Sequence, residues 1–223
     1  MFCRVLLLLL LSVLTLAGCQ EDKSAMALKN LGGVVSREDD RTTVRYVHTK
    51  DTDTKLKRLN FQIAGTFIRI SHIELNACDA SDRSIEQLTR IKDLEVLHIL
   101  QCPHLTNVSM KLLGQNLKLQ ELVILHTHAD DHDFEDLAKL SQLRTLEISG
   151  IGDNTLNAIS QLKNLERLSL VDSKINESGA RSLGRMPNLR VLDFYRCEMR
   201  ENIEQQVRHG LPQTRITIHR NSK

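Results

Sequence analysis

Apolar residues return at fixed places along most of this chain. The recurring phrase is apolar at its first, fourth and sixth positions and mixed in between. It reads Ile70, Ile73 and Leu75, then Leu94, Leu97 and Ile99, then Leu119, Leu122 and Ile124. It continues as Leu143, Leu146 and Ile148, then Leu165, Leu168 and Leu170, then Leu189, Leu192 and Phe194. A degenerate seventh copy carries Gln213, Ile216 and Ile218. Successive first positions are 24, 25, 24, 22, 24 and 24 residues apart. Alternation within each phrase predicts a strand with its apolar set on one side. A repeat of this size marks a solenoid, in which each unit buries its apolar face only against its neighbours.

A second rhythm follows each strand. Ile85, Leu88 and Ile91 lie three apart, as do Phe134, Leu137 and Leu140. Leu156, Ile159 and Leu162 repeat the spacing, and so do Ala180, Leu183 and Met186. Three-residue spacing keeps one stripe inward and predicts a short helix. Each helix is expected to open near a polar residue: Asp82, Asn107, Asp131, Asp153, Glu177 or Glu201. Asp and Asn there would accept bonds from the unpaired N–H groups of their own helix, and Glu suits its positive end. Differences in repeat length fall in the loop between strand and helix, where they cost little.

These units resemble the cysteine-containing subtype of leucine-rich repeats. In that subtype a cysteine stands at the ninth position of the phrase. Here the slot holds Cys78, Cys102, Thr127, Ile151, Ser173 and Cys197. Ile151 departs most from the pattern, and a less regular turn is expected there. The resemblance covers residues 68–219. It implies an α/β solenoid, with a curved parallel sheet on the concave side and short helices on the convex side. It also implies that Cys78, Cys102 and Cys197 are free and buried. Strand spacing of ~4.8 Å leaves a Cys78–Cys102 disulfide geometrically open.

Residues 24–67 read as an N-terminal cap, since the end of a solenoid needs a polar outer surface. Strands are expected at residues 34–35 and 43–47 around a polar turn at 36–41. Residues 50–58 read as a loop and 59–63 as a further strand. Residues 220–223 form a polar tail.

The first 18 residues differ from the rest. Arg4 precedes an apolar run from Val5 to Leu16, too short to span a bilayer comfortably and suited to a signal peptide. It ends in Leu16, Ala17, Gly18 and Cys19, which resembles a bacterial lipobox. That resemblance implies cleavage before Cys19 and lipidation of Cys19. Residues 19–23 would form a short tether, holding the folded part near the bilayer. Acyl chains contribute about 0.8 kcal/mol per buried methylene, so two or more anchor stably. Gln20, rather than Asp, points to the outer membrane by the rule for enterobacterial lipoproteins.

Composition narrows the choice of partner. The chain has 223 residues, with 30 basic and 28 acidic side chains and a net charge of +2. It has no Trp, two Tyr and five Phe. A near-neutral, aromatic-poor surface argues against nucleic acid, which selects basic faces and stacking platforms.

The outward positions of the strands form the candidate binding face. Val96, Leu100, Val123 and Leu125 should make one apolar patch, and Val171, Val191 and Tyr195 a smaller one. Solvated sheet positions normally favour polar residues, so such patches point to an interaction site. His98, Glu121, Glu147 and Arg167 lie among them. Expected neighbour pairs are Glu74 with His98, Glu121 with Arg167, and Asp193 with Arg196.

One segment points elsewhere. Residues 126–133 hold His126, His128, His132 and three aspartates, a ligand set for a transition metal. No Glu follows His128, so the metalloprotease signature fails. The sequence therefore favours a lipid-anchored, non-enzymatic protein-binding module of a bacterial envelope, with no cofactor. The alternatives are metal binding by the 126–133 loop and a structural envelope protein whose concave face meets copies of itself.

Overall fold

None of the eighteen apolar residues that define the six phrases is more than 4% exposed. The computed structural model describes residues 33–38, 41–47, 49–63, 69–128, 131 and 134–220. The expected signal segment, Cys19 with the expected tether, His132 and residues 221–223 lie outside them.

Nine strands form one sheet in sequence order. They are β1 (Val34–Glu38), β2 (Arg41–Val47), β3 (Ile70–Asn76), β4 (Val96–Leu100) and β5 (Glu121–Leu125). The rest are β6 (Thr145–Ser149), β7 (Arg167–Val171), β8 (Val191–Tyr195) and β9 (Arg215–His219). β1 and β2 form an antiparallel hairpin, as expected near the N-terminal end. Every later pairing is parallel.

Among the described residues, six α-helices stack along the other side. They are α1 (Thr52–Ile63), α2 (Asp82–Leu88), α3 (Asn107–Leu113), α4 (Asp153–Ile159), α5 (Glu177–Leu183) and α6 (Glu201–Gly210). Packed helices stand ~8–10 Å apart and paired strands ~4.8 Å, so the stack bends with its sheet inward. The architecture is a leucine-rich-repeat solenoid.

Two expectations near the N-terminus are overturned. Residues 52–63 are one helix, not a loop followed by a strand. Thr52, Leu56 and Leu59 are at most 1% exposed, which is the inward stripe of a helix. Asp79 caps its start, accepting from the Asp51 N–H at 2.8 Å and the Thr52 N–H at 3.0 Å. With β2, whose Thr42, Val44 and Tyr46 face the core, this helix makes a full unit ahead of the first leucine phrase.

The helix expected near Asp131 also differs. Between β5 and β6 the chain makes only a 3-10 helix, Glu135–Lys139. Phe134 precedes it and supplies no side-chain cap. The pairing of β5 with β6 also ends one residue early, and the Ser149 hydroxyl accepts from the His126 N–H at 2.8 Å instead.

The polar residues at the helix starts act differently from expectation. Capping of the residue's own helix falls to the residue before it: Ser81, Thr106 and Asn176. The acids reach across to the next unit. Asp82 accepts from the Thr106 N–H at 3.0 Å, the Thr106 hydroxyl at 2.8 Å and the Ser109 N–H at 3.1 Å. Asp131 takes the N–H groups of Gly152, Asn154 and Thr155 at 2.6, 3.1 and 3.1 Å. Asp153 takes that of Asn176 at 3.2 Å. A side chain on the first helical turn projects beyond its own N–H groups, and stacking brings the neighbour's within reach.

Burial alone would raise the Asp82 carboxyl, but bonds from Ser109 and Thr106 outweigh it and hold it below the usual carboxylate range. Asp82→Ala should therefore destabilise the protein by about 1–2 kcal/mol at pH 7, the usual effect of losing a cap. A depressed folded value stabilises above the unfolded one, ~3.9. That contribution disappears as pH falls through the folded value. In urea titrations the gap between wild type and variant should close at low pH.

The cysteine slot has a local logic. Cys78 Sγ donates to the Tyr46 carbonyl of the preceding strand at 3.1 Å and to the Asn76 carbonyl at 3.3 Å. Cys197 does the same with Leu170 at 3.2 Å and Tyr195 at 3.6 Å. Ser173 donates to the Val171 carbonyl at 2.9 Å. A small donor thus satisfies carbonyls where the chain leaves the sheet, buried at Cys78 and Ser173 but, against expectation, only half-buried at Cys197. Cys78, Cys102 and Cys197 are free thiols. The preceding residue turns the chain with positive φ: Ala77, Gln101, His126, Gly150, Asp172 and Arg196.

Candidate functional site

The uncovered face of the sheet is three rows of side chains in strict register. One row runs His72, Val96, Glu121, Thr145, Arg167 and Val191. The middle row runs Arg45, Glu74, His98, Val123, Glu147, Ser169 and Asp193. The third holds Asn76, Leu100 and Leu125, then Ser149, Val171 and Tyr195. The sequence-predicted residues therefore share one surface, brought there by the five stacked strands β4 to β8 and not by proximity in the chain.

Exposure within that surface is uneven. Val96, His98, Leu100, Glu121, Leu125, Glu147, Val191 and Tyr195 are half-buried, and Arg167 is exposed. Val123 and Val171 are only 8% and 6% exposed. The expected contribution of Val123 to an open patch is corrected accordingly. It sits between the longer His98 and Glu147 in the middle row and serves as floor. Leu100 and Leu125 are the accessible apolar pair.

The ion pairs differ from the expected ones. His98 Nε2 meets Glu121 Oε1 at 2.8 Å, diagonally across adjacent strands. Glu74 instead receives Arg45 at 3.0 Å. Arg196 pairs through two nitrogens with Asp172, at 2.7 and 2.6 Å, and not with Asp193. Asp172 and Arg196 lie on successive turns leaving the sheet, so they face each other where Asp193 cannot. Glu121, engaged by His98, is separated from Arg167 by Thr145.

The His72 and His98 rings meet edge to face, with centroids 4.8 Å apart. Burial pushes the His72 pKa down, and His98 and Arg45 add to the effect. Burial pushes the Glu147 carboxyl up; His98 opposes this, while Glu121 and Asp193 reinforce it. Tyr195 stacks on His219 of β9 at 4.4 Å, nearly parallel.

The face extends beyond the residues legible in the sequence. Arg45 and Val47, the latter 46% exposed, add to it from β2. That strand lacks the leucine phrase. Its alternation of Thr42, Val44 and Tyr46 was the available signal. A groove of about 710 Å³ opens away from the sheet face, where α5 and α6 begin. Lys174, Glu177, Arg181, Glu198 and Arg200 line it. Its charges are mixed and it is open to solvent, so the sheet face is the better candidate.

The histidine loop does not assemble. His126 and His128 are exposed, and the Asp131 carboxylate is occupied by the three N–H groups of the next unit. Among the described residues no group of three or more metal-ligating side chains comes together. His132 lies outside them.

Comparison with solved structures finds the same fold. An internalin C2 from Listeria monocytogenes aligns with a TM-score of 0.56 at 18% identity, over 79% of this chain and 80% of that one. A leucine-rich-repeat protein of Leptospira interrogans aligns at 18% identity and TM-score 0.48, over 66% of this chain and 35% of its own. An internalin F from Listeria monocytogenes gives 12% identity and TM-score 0.43, over 78% and 57%. At these identities the likeness is one of fold alone. No family model and no curated protein matches the sequence.

Proposed function

We propose that this protein is a lipid-anchored, non-enzymatic scaffold of a bacterial envelope that binds a protein partner on the concave face of its sheet. The observation that carries the reading is the row containing Leu100 and Leu125, half-buried apolar side chains on a sheet face that none of the described helices covers. Water would favour polar residues there. Covering each leucine is worth roughly 1.5–3 kcal/mol to a partner. The flanking charges of His98, Glu121, Glu147 and Arg167 give such a patch the polar rim that sets orientation.

Anchoring rests on Leu16, Ala17, Gly18 and Cys19 at the end of the apolar segment. Gln20, in place of the Asp that retains enterobacterial lipoproteins at the inner membrane, favours the outer membrane. In native cells fed an alkynyl fatty acid, the wild-type protein should label and fractionate with membranes. Cys19→Ala should lose both properties, and an unlabelled wild type refutes the anchor. For the binding face, a photocrosslinking residue replacing Leu125 should give one specific adduct. The same probe replacing Arg181, on the helical side, should not.

A further inference from the structure

We infer that the partner seats a basic side chain, lysine or arginine, on Glu147 at the middle of the sheet face. This rests on the reading of that face as the binding surface and adds the chemistry of what it binds.

Three observations carry it. The first is that Glu147 has no ion pair or hydrogen bond from any described residue, although it is half-buried. The other two glutamates of this part of the face are provided for. Glu74 has Arg45 at 3.0 Å, and Glu121 has His98 at 2.8 Å. A carboxylate drawn partly out of water without a partner costs free energy in the isolated protein.

The second is the surrounding charge. Asp193 occupies the same row two strands along, beyond Ser169, and also lacks a partner among the described residues. Asp193 and Glu121 act on Glu147 as like charges, against the opposing influence of His98. An anionic group arriving here meets three carboxylates, one of them hydrogen-bonded to His98. A cation meets two that have no partner of their own among the described residues. Incoming positive charge therefore relieves a repulsion already present in the free protein.

The third is the shape of the neighbouring row. Leu125, half-buried on the adjacent strand, offers apolar surface beside the glutamate's row. Lysine and arginine carry a methylene stem that packs on such surface while the charged head reaches a carboxylate. A bare metal cation gains nothing from it, and the described residues place no ligand cluster here.

The test uses two short synthetic peptides, one alternating leucine with lysine and one alternating leucine with glutamate. Their binding to the mature chain is followed by fluorescence anisotropy at fixed salt. The leucine–lysine peptide should bind and the leucine–glutamate peptide should not. Glu147→Gln should weaken the former about tenfold, roughly one unpaired charge at an interface. Glu177→Gln removes the same charge from the helical side and should leave affinity unchanged. If the leucine–lysine peptide fails to bind, or Glu147→Gln behaves like Glu177→Gln while Leu125→Arg abolishes binding, the cation seat is wrong and the face stands. If a bound peptide is indifferent to Leu125→Arg as well, the face itself is wrong and this proposal falls with it.

Discussion

Leu122→Asp should abolish folding. Leu122 lies in β5 at the centre of the array with no exposed surface, packed where the sheet meets the helices. Removing a buried leucine side chain costs about 2–5 kcal/mol through lost transfer energy and the cavity left behind. Installing a carboxylate there adds several kcal/mol more, because its buried neighbours in register, Leu97 and Leu146, have no donor to offer it. The sum reaches or exceeds the ~5–15 kcal/mol that holds most domains together. A solenoid makes the damage worse, since each unit is stabilised only by those beside it and a failed middle unit divides the stack. Far-UV circular dichroism should show no cooperative melt. Leu122→Ala should melt cooperatively but lower, by about 3 kcal/mol in urea titrations. If Leu122→Asp melts like wild type, Leu122 faces solvent and every row assigned to the sheet shifts by one.

The opposite result is expected one row away. Leu100→Arg combined with Leu125→Arg should leave the fold intact and eliminate partner capture. Both side chains are half-buried on the open face, where a long charged side chain extends into water at little cost. To a partner the change is large. Two apolar contacts are lost, together worth about 3–6 kcal/mol at most. Two cations must also be desolvated or pushed aside. Capture should fall at least a hundredfold, since each 1.4 kcal/mol is about a factor of ten. The measurement is crosslinking in native cells from a probe at Thr145, which shares the face with both substituted positions. Equal melting curves beside undiminished capture would remove Leu100 and Leu125 from the contact surface. Together the two variants separate the two sides of one sheet, because neighbouring residues of a strand point in opposite directions.

Much of this was legible in the amino-acid order. Spacing of the leucine phrase predicts all six strands from β3 to β8, and five helices begin at the predicted polar residue. Where the phrase is absent, reading by pattern succeeded only in part: the expected strand over 43–47 lies within β2, but the helix before β3 was missed. Thr42, Val44 and Tyr46 do the work of leucines in β2, and α1 was mistaken for a loop and a strand because lysines interrupt its apolar stripe. The 3-10 helix after β5 was missed for a different reason. Phe134, Leu137 and Leu140 are all buried, and their spacing of three fits a 3-10 turn as well as an α-helix. Periodicity reports which side of an element is buried and says nothing of whether its ends are satisfied.

Charge was the least legible level. Glu74 chose Arg45, Glu121 chose His98, and the helix-start aspartates chose the following unit. Each choice is decided by angstroms between side chains of separate units. The order of residues alone determined the solenoid, its register and which residues share its open face, because burial follows the phase of a strand whatever its neighbours are. Only the stacked structure decided which carboxylates are paired, which valines are covered and which leucines remain open to a partner. Those depend on the distance between units more than twenty residues apart, a quantity no local pattern contains.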